Sequence, residues 1–254
     1  TLQRKLNEGL LVLDYVGHGG TEALSDEKVI THNDILGYKY EHLPLWITTT
    51  CDFCRFDDIQ TSAGEDVFLN KKSGGIALFT TSRVSFTDIN RIVNNDLISG
   101  LFVNEGYKNN SLGDIIKSMK RNTTDGRKLG FCLIGDPALR LSYPQYNVSI
   151  TSINEKPVGD SVVQFKAFEK VTISGYIQDA LGNTQDDFSG QLDVQIFDGK
   201  TDVTTQGNNG NKYYYEDYVN VIYKGGTTVS NGRFKLSFVV PKDISYTTTN
   251  KGKM

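Results

Sequence analysis

Leu10-Leu11-Val12-Leu13-Asp14-Tyr15-Val16 runs straight into Gly17-His18-Gly19-Gly20: an apolar stretch of strand length, closed by a glycine turn. Leu45-Trp46-Ile47-Thr48-Thr49-Thr50 has the same form, is rich in β-branched residues, and ends at Cys51. Ile76 to Thr81, behind Gly74-Gly75, and Phe131 to Ile134, closed by Gly135-Asp136-Pro137, repeat the pattern. Short apolar runs bounded by Gly and Pro suit strands covered on both faces, as in a parallel sheet.

Helical patterns separate these runs. Ser62 with Glu65 forms a capping box that opens a helix to about Lys72, with Val67 and Phe68 on its buried stripe. Asp88 is the expected cap of a second helix, whose Ile89, Ile92, Val93, Leu97 and Leu101 recur at spacings of three and four. Ser111 with Asp114 opens a third, carrying Ile115 and Met119, with Lys117, Lys120 and Arg121 towards its C-terminus. Strands alternating with helices predict an α/β layer structure, a mostly parallel sheet flanked by helices, over residues 1–145.

Beyond Tyr143-Pro144 the period changes to two. Strands are expected at Val162 to Phe168, Val171 to Ile177, Leu192 to Phe197, Val219 to Tyr223 and Phe234 to Val240. Gly182-Asn183, Gly225-Gly226 and Asn231-Gly232 supply turns, and Thr204 to Lys212 reads as a long exposed loop. Residues 146–254 are therefore expected to form an immunoglobulin-like β-sandwich. The chain opens without an initiator Met and stops in a hydrophilic stretch, so it reads as a piece of a longer protein, with the sandwich cut short.

Composition narrows the function classes. A hydrophobic share of 38% and a charged share of 22% describe a chain able to bury a core. A net charge of -3 gives no basis for nucleic-acid binding, which requires clustered Lys and Arg. Three cysteines, Cys51, Cys54 and Cys132, are too few and too odd for a disulfide framework.

His18 and Cys51 each follow a strand, and reactive groups in open α/β sheets gather at the C-terminal strand ends. Singly, such a His is more often a loop residue and such a Cys an inert small hydrophobe. Together they describe a thiol beside a base, since the thiolate is the nucleophile. Gly19 lets a carbonyl approach its backbone N–H, and the Gly19 and Cys51 amides form the candidate oxyanion hole. Cys51-x-x-Cys54 also has a redox spacing, but that chemistry needs a helix starting at the first Cys, whereas Asp52 to Gln60 reads as a loop. Arg55 and Arg83 are read as partners of Asp52, Asp57 or Asp58, and Asp14 as structural. A non-catalytic surface scaffold built on a degenerate peptidase domain is the alternative function.

These motifs resemble the gingipain-like cysteine peptidase family, in the clan of caspases and legumains. The likeness rests on Gly17-His18-Gly19-Gly20, Leu43-Pro44, Thr50-Cys51-Asp52-Phe53-Cys54-Arg55-Phe56-Asp57, Gly74-Gly75-Ile76-Ala77-Leu78 and Gly135-Asp136-Pro137. Asn231-Gly232-Arg233-Phe234 and Val240-Pro241-Lys242-Asp243-Ile244 narrow it to the sortase branch of the type IX secretion system. The resemblance implies His18 as base, Cys51 as nucleophile, Gly19 as oxyanion donor, and an orienting acidic residue upstream of Thr1. It implies cleavage of C-terminal sorting signals from secreted proteins, transfer to a surface amine, and other type IX outer-membrane proteins as partners. It places the protein on the outer face of a Gram-negative bacterium, with no cofactor beyond a structural Ca²⁺. Thr50, where the family often has Ala, and Cys54, where a small residue such as Ser is common, depart from the pattern.

Overall fold

The computed structural model describes residues 2–104, 106–159, 162–208, 210–245 and 251–254. The chain divides into two compact units, Thr1–Tyr143 and Pro144–Met254.

The first unit opens with α1 (Leu2–Glu8), β1 (Val12–Val16), and a small antiparallel pair, β2 (Ala23–Leu24) with β3 (Ile30–Thr31). It continues through α2 (His32–Gly37), β4 (Leu45–Thr49), α3 (Ala63–Leu69), β5 (Ala77–Thr81), α4 (Thr87–Phe102), α5 (Leu112–Asn122) and β6 (Phe131–Ile134). The sheet order is β1-β4-β5-β6, with the first three strands parallel and β6 antiparallel to β5. All residues of β4 and β5 are buried, because helices cover both faces. Side chains alternate across a strand. Leu45, Ile47, Ala77 and Phe79 therefore meet Ile89, Val93 and Leu97 of α4 and Ile115 and Met119 of α5. Leu13, Trp46 and Leu78 meet Leu6 of α1, Ile35 of α2 and Val67 of α3 on the other face. The buried threonine hydroxyls need partners, and Thr48 Oγ1 meets Thr80 Oγ1 across the two strands at 2.8 Å.

Several local expectations are corrected. In β1 only Leu13 is buried, since no strand pairs with its outer edge among the described residues. Asp88 does not cap α4. The N-cap position is Phe86, and the Asp88 carboxylate pairs with Arg127 at 2.7 Å. α3 stops at Leu69, and its Phe68 faces outward, as does Ile92 of α4. The capping box at Ser111 and Asp114 is present.

The second unit contains β7 (Asn147–Ile153), β8 (Lys156–Pro157), β9 (Lys170–Gln178), β10 (Gly190–Phe197), β11 (Thr201–Thr204), β12 (Tyr214–Asp217), β13 (Val221–Val229) and β14 (Arg233–Val239). A four-stranded antiparallel sheet, β14-β9-β7-β8, and a two-stranded sheet, β10-β13, share a core of Val171, Ile173, Ile196, Val229, Phe234 and Phe238. β11 and β12 pair as a hairpin, and residues 205–213 between them are the expected loop, with Asn209 outside the described residues. Val162–Phe168 is not a strand. The chain turns there, with Phe168 at φ 63° and its N–H given to Val240 O, while Phe165 packs edge-on against Phe238. Among the described residues no helix is long and apolar enough to cross a membrane.

α3 starts against the loop after β4: a Cβ on Gly64 would lie 2.6 Å from Cys54 Cβ and 2.7 Å from Phe53 O. Gly64→Ala gains up to about 1 kcal/mol of helix propensity. Overpacking against a backbone carbonyl costs about 1–3 kcal/mol and outweighs it. Urea unfolding followed by the fluorescence of Trp46, the single tryptophan and fully buried in the first unit, should therefore show a lower midpoint for the variant.

Candidate active site

His18 lies two residues beyond β1, and Cys51 lies two beyond β4. Val16 and Thr49 are register partners in the parallel pair, so the loops that carry His18 and Cys51 leave the sheet from neighbouring strand ends. Adjacent strands run about 4.8 Å apart. The two strand ends are thus neighbours at one end of the sheet.

Local contacts hold the His18 turn. Its carbonyl accepts from Tyr15 Oη at 2.6 Å and from the Ser25 N–H at 2.7 Å, leaving the side chain exposed. Gly19 is obligatory on steric grounds, because a Cβ there would sit 2.5 Å from Thr50 Oγ1. Thr50, the residue before Cys51, thereby presses on the residue after His18. Its buried hydroxyl has no hydrogen-bond partner among the described residues.

The start of α3 ties the two loops together. The first N–H groups of a helix lack partners within it. Here Ala63 N–H donates to Thr21 O of the His18 loop at 2.7 Å, and Gly64 N–H donates to Phe53 O of the Cys51 loop at 2.8 Å. On the other flank, Asp52 N–H donates to Arg83 O, Cys54 N–H to Thr81 O, and the Thr81 hydroxyl to Thr50 O. Cys51 is half-buried, with its sulfur 3.2 Å from Ser85 O and 3.4 Å from Ser85 N. Among the described residues, neither the Gly19 nor the Cys51 amide N–H is taken by a protein acceptor.

The arginines are occupied. Arg83 holds Asp57 through two bonds of 2.9 and 2.6 Å, which keep the exposed Asp57 carboxyl below the usual carboxylate range. Arg55 reaches Asp58 at 3.3 Å. Asp14 accepts from Asn94 of α4 at 3.0 Å, and burial raises its carboxyl above the usual range. His32 is drawn to Asp66 at 2.7 Å, joining α2 to α3.

All three cysteines are free thiols. No helix starts at Cys51; the chain turns there, with Asp52 at φ 48°. Cys54 is fully buried, and its thiol is pushed up to about 12, first by desolvation and then by Cys132 and Glu65. That environment keeps a thiol neutral and unreactive.

Residues 1–142 match the sequence profile of peptidase family C25. The chain belongs to this family, the gingipain-like cysteine peptidases. Dimeric latent PorU from Porphyromonas gingivalis is 31% identical over 71% of the C25 chain and 18% of its own, with a TM-score of 0.41. The Arg-specific cysteine proteinase gingipain R is 12% identical over 94% of the chain and 48% of its own, with a TM-score of 0.48. The chain thus spans less than a fifth of PorU and about half of gingipain R. No curated protein sequence matches it.

Sequence reasoning missed Tyr15, Ser85 and Asn90 around the candidate site. Only Asn90 left a signal, as a polar residue beside Ile89 on the buried side of α4.

The thiols should differ sharply in reactivity. Desolvation pushes the Cys54 thiol up to about 12, so it stays protonated at pH 8. Iodoacetamide at that pH, read by peptide mass spectrometry of the folded chain, should modify Cys51 and spare Cys54. Equal modification of both would contradict the burial of Cys54.

Proposed function

We propose that this C25 chain carries the thiol–imidazole centre of a cysteine endopeptidase or transpeptidase, with Cys51 as nucleophile and His18 as base and acid. The observation that carries the reading is the parallel register that sets the two loops on neighbouring strand ends. Two uncommitted amides lie on the same loops.

In the first step the Cys51 S–H proton passes to the imidazole of His18, and the sulfur attacks the carbonyl carbon of a peptide bond. The developing oxyanion accepts from the Gly19 and Cys51 N–H groups, whose positions cost no reorganisation during the reaction. His18 then returns the proton to the leaving amine, and a thioester remains on Cys51. Water releases it as an acid, or an acceptor amine takes the acyl group. No cofactor enters these steps, and a Ca²⁺ ion would serve structure alone.

The sequence resemblance to the sortase branch of the type IX secretion system supports a sortase-like reading: C-terminal sorting domains of secreted proteins as substrates and a surface amine as acceptor. It also supports other type IX secretion outer-membrane proteins as partners, at the surface of a Gram-negative bacterium. Pro144–Met254 then reads as an immunoglobulin-like sandwich that follows the peptidase half along the chain.

The test is cleavage of a peptide spanning a sorting-signal junction, with and without an added amine. Cys51→Ala should abolish both hydrolysis and transfer. His18→Ala should lower them by roughly 10²–10⁴, the range for loss of a general acid–base. Full turnover by Cys51→Ala would refute the assignment, and absence of turnover in every form would favour the scaffold.

A further inference from the structure

We propose that Ser85, anchored by Asn90, positions the Cys51 thiol from the flank of the sheet opposite His18. The inference rests on Cys51 being the nucleophile and adds a residue pair to that site. Strand order supplies the geometry. β4 lies between β1 and β5, so the loop carrying Cys51 has the His18 loop on one side and residues 82–86 on the other. Ser85 reaches the sulfur with both backbone groups, its N–H at 3.4 Å and its carbonyl at 3.2 Å.

The segment that presents Ser85 is fixed at three points. Arg83 O accepts from Asp52 N–H, and Phe86 O accepts from Asn90 N–H in the first turn of α4. Between them, the Ser85 hydroxyl donates to Asn90 Oδ1. Asn90 is only 5% exposed, and it stands in the apolar face of a helix, where Asn is both a poor helix former and costly to bury. Bonding to Ser85 accounts for its presence.

The arrangement has a direction. In the resting thiol the S–H points to Ser85 O. When His18 takes the proton, the S–H bond breaks, an N–H bond forms on the imidazole, and the electron pair stays on sulfur. The thiolate keeps the Ser85 N–H as donor, and a charge-assisted bond of this kind is about twice as strong as its neutral counterpart. Ser85 thus holds the sulfur in place through the proton transfer, and Asn90 holds Ser85. The other ionisable groups on the loops after β4 and β5 are Asp52, the buried Cys54, and the Arg83–Asp57 and Arg55–Asp58 pairs, with Asp88 and Arg127 paired beside the first turn of α4.

The experiment follows Cys51 alkylation by iodoacetamide at pH 7, together with the ultraviolet absorbance of the thiolate against pH, on the full chain. Ser85→Ala, Asn90→Leu and the double variant are compared with wild type. Ser85 is a half-buried loop residue, so its variant provides a folded arm even if Asn90→Leu unfolds. Each single change should slow alkylation about tenfold, the size of one weakened bond to a charged group, and should move the absorbance rise to higher pH. Because the two residues share one hydrogen bond, the double variant should be no slower than the slower single. An unchanged rate and absorbance profile in folded Ser85→Ala, or effects that multiply, would overturn the proposal. His18→Ala keeps the two readings apart. If it leaves alkylation unchanged while the Ser85 variant slows it, the His18 assignment fails and Ser85 stands; the reverse result removes Ser85 alone.

Discussion

The parallel pairing of β1 with β4 is the constraint on which the candidate site depends, because it sets the loops that carry His18 and Cys51 at neighbouring strand ends. Its register is not free to slip. A shift of one residue would turn Trp46 to the α4 face and Ile47 to the α1 face, exchanging two well-packed cores. The energy that fixes the chemistry is thus hydrophobic burial, spent some distance below the reacting atoms.

Above the sheet, order comes from hydrogen bonds that the elements leave over. The helix-start N–H groups of Ala63 and Gly64 reach the loops after β1 and β4. The end of β5 reaches the Cys51 loop through Thr81 and Arg83. Steric contact completes the frame, since Thr50 leaves no room for a side chain at Gly19. The site is clamped from three directions before any ligand arrives, which is the preorganisation that acyl-transfer chemistry rewards. Two thiols three residues apart acquire opposite characters in this frame. Cys51 lies at the loop surface, and Cys54 lies under it against Gly64.

Much of this was legible in the residues. Apolar runs bounded by Gly and Pro located β4, β5 and β6, and in β4 and β5 burial on both faces leaves no charged position to confuse the pattern. Capping boxes located α3 and α5, because their signal is local. Errors came where a neighbour far along the chain outweighed a local preference. Asp88 has the side chain of an N-cap, yet Arg127 claims it. Val162–Phe168 has the composition of a strand, yet Phe168 turns the chain and hands its N–H to Val240 O.

The sequence by itself determined the α/β character of the first unit, the strand-to-loop placement of His18, Gly19 and Cys51, and the membership in family C25 that residues 1–142 carry. These follow from periodicity and from motifs contained within a few residues. Tertiary structure alone decided that the His18 and Cys51 loops leave neighbouring strand ends, that Cys54 is sealed away, and that Ser85 reaches the thiol while Asn90 holds the Ser85 hydroxyl. The reason is separation along the chain: Ser85 lies 34 residues from Cys51. Nothing in a local pattern records which carbonyl a buried helix asparagine will fix beside a sulfur once the sheet has assembled.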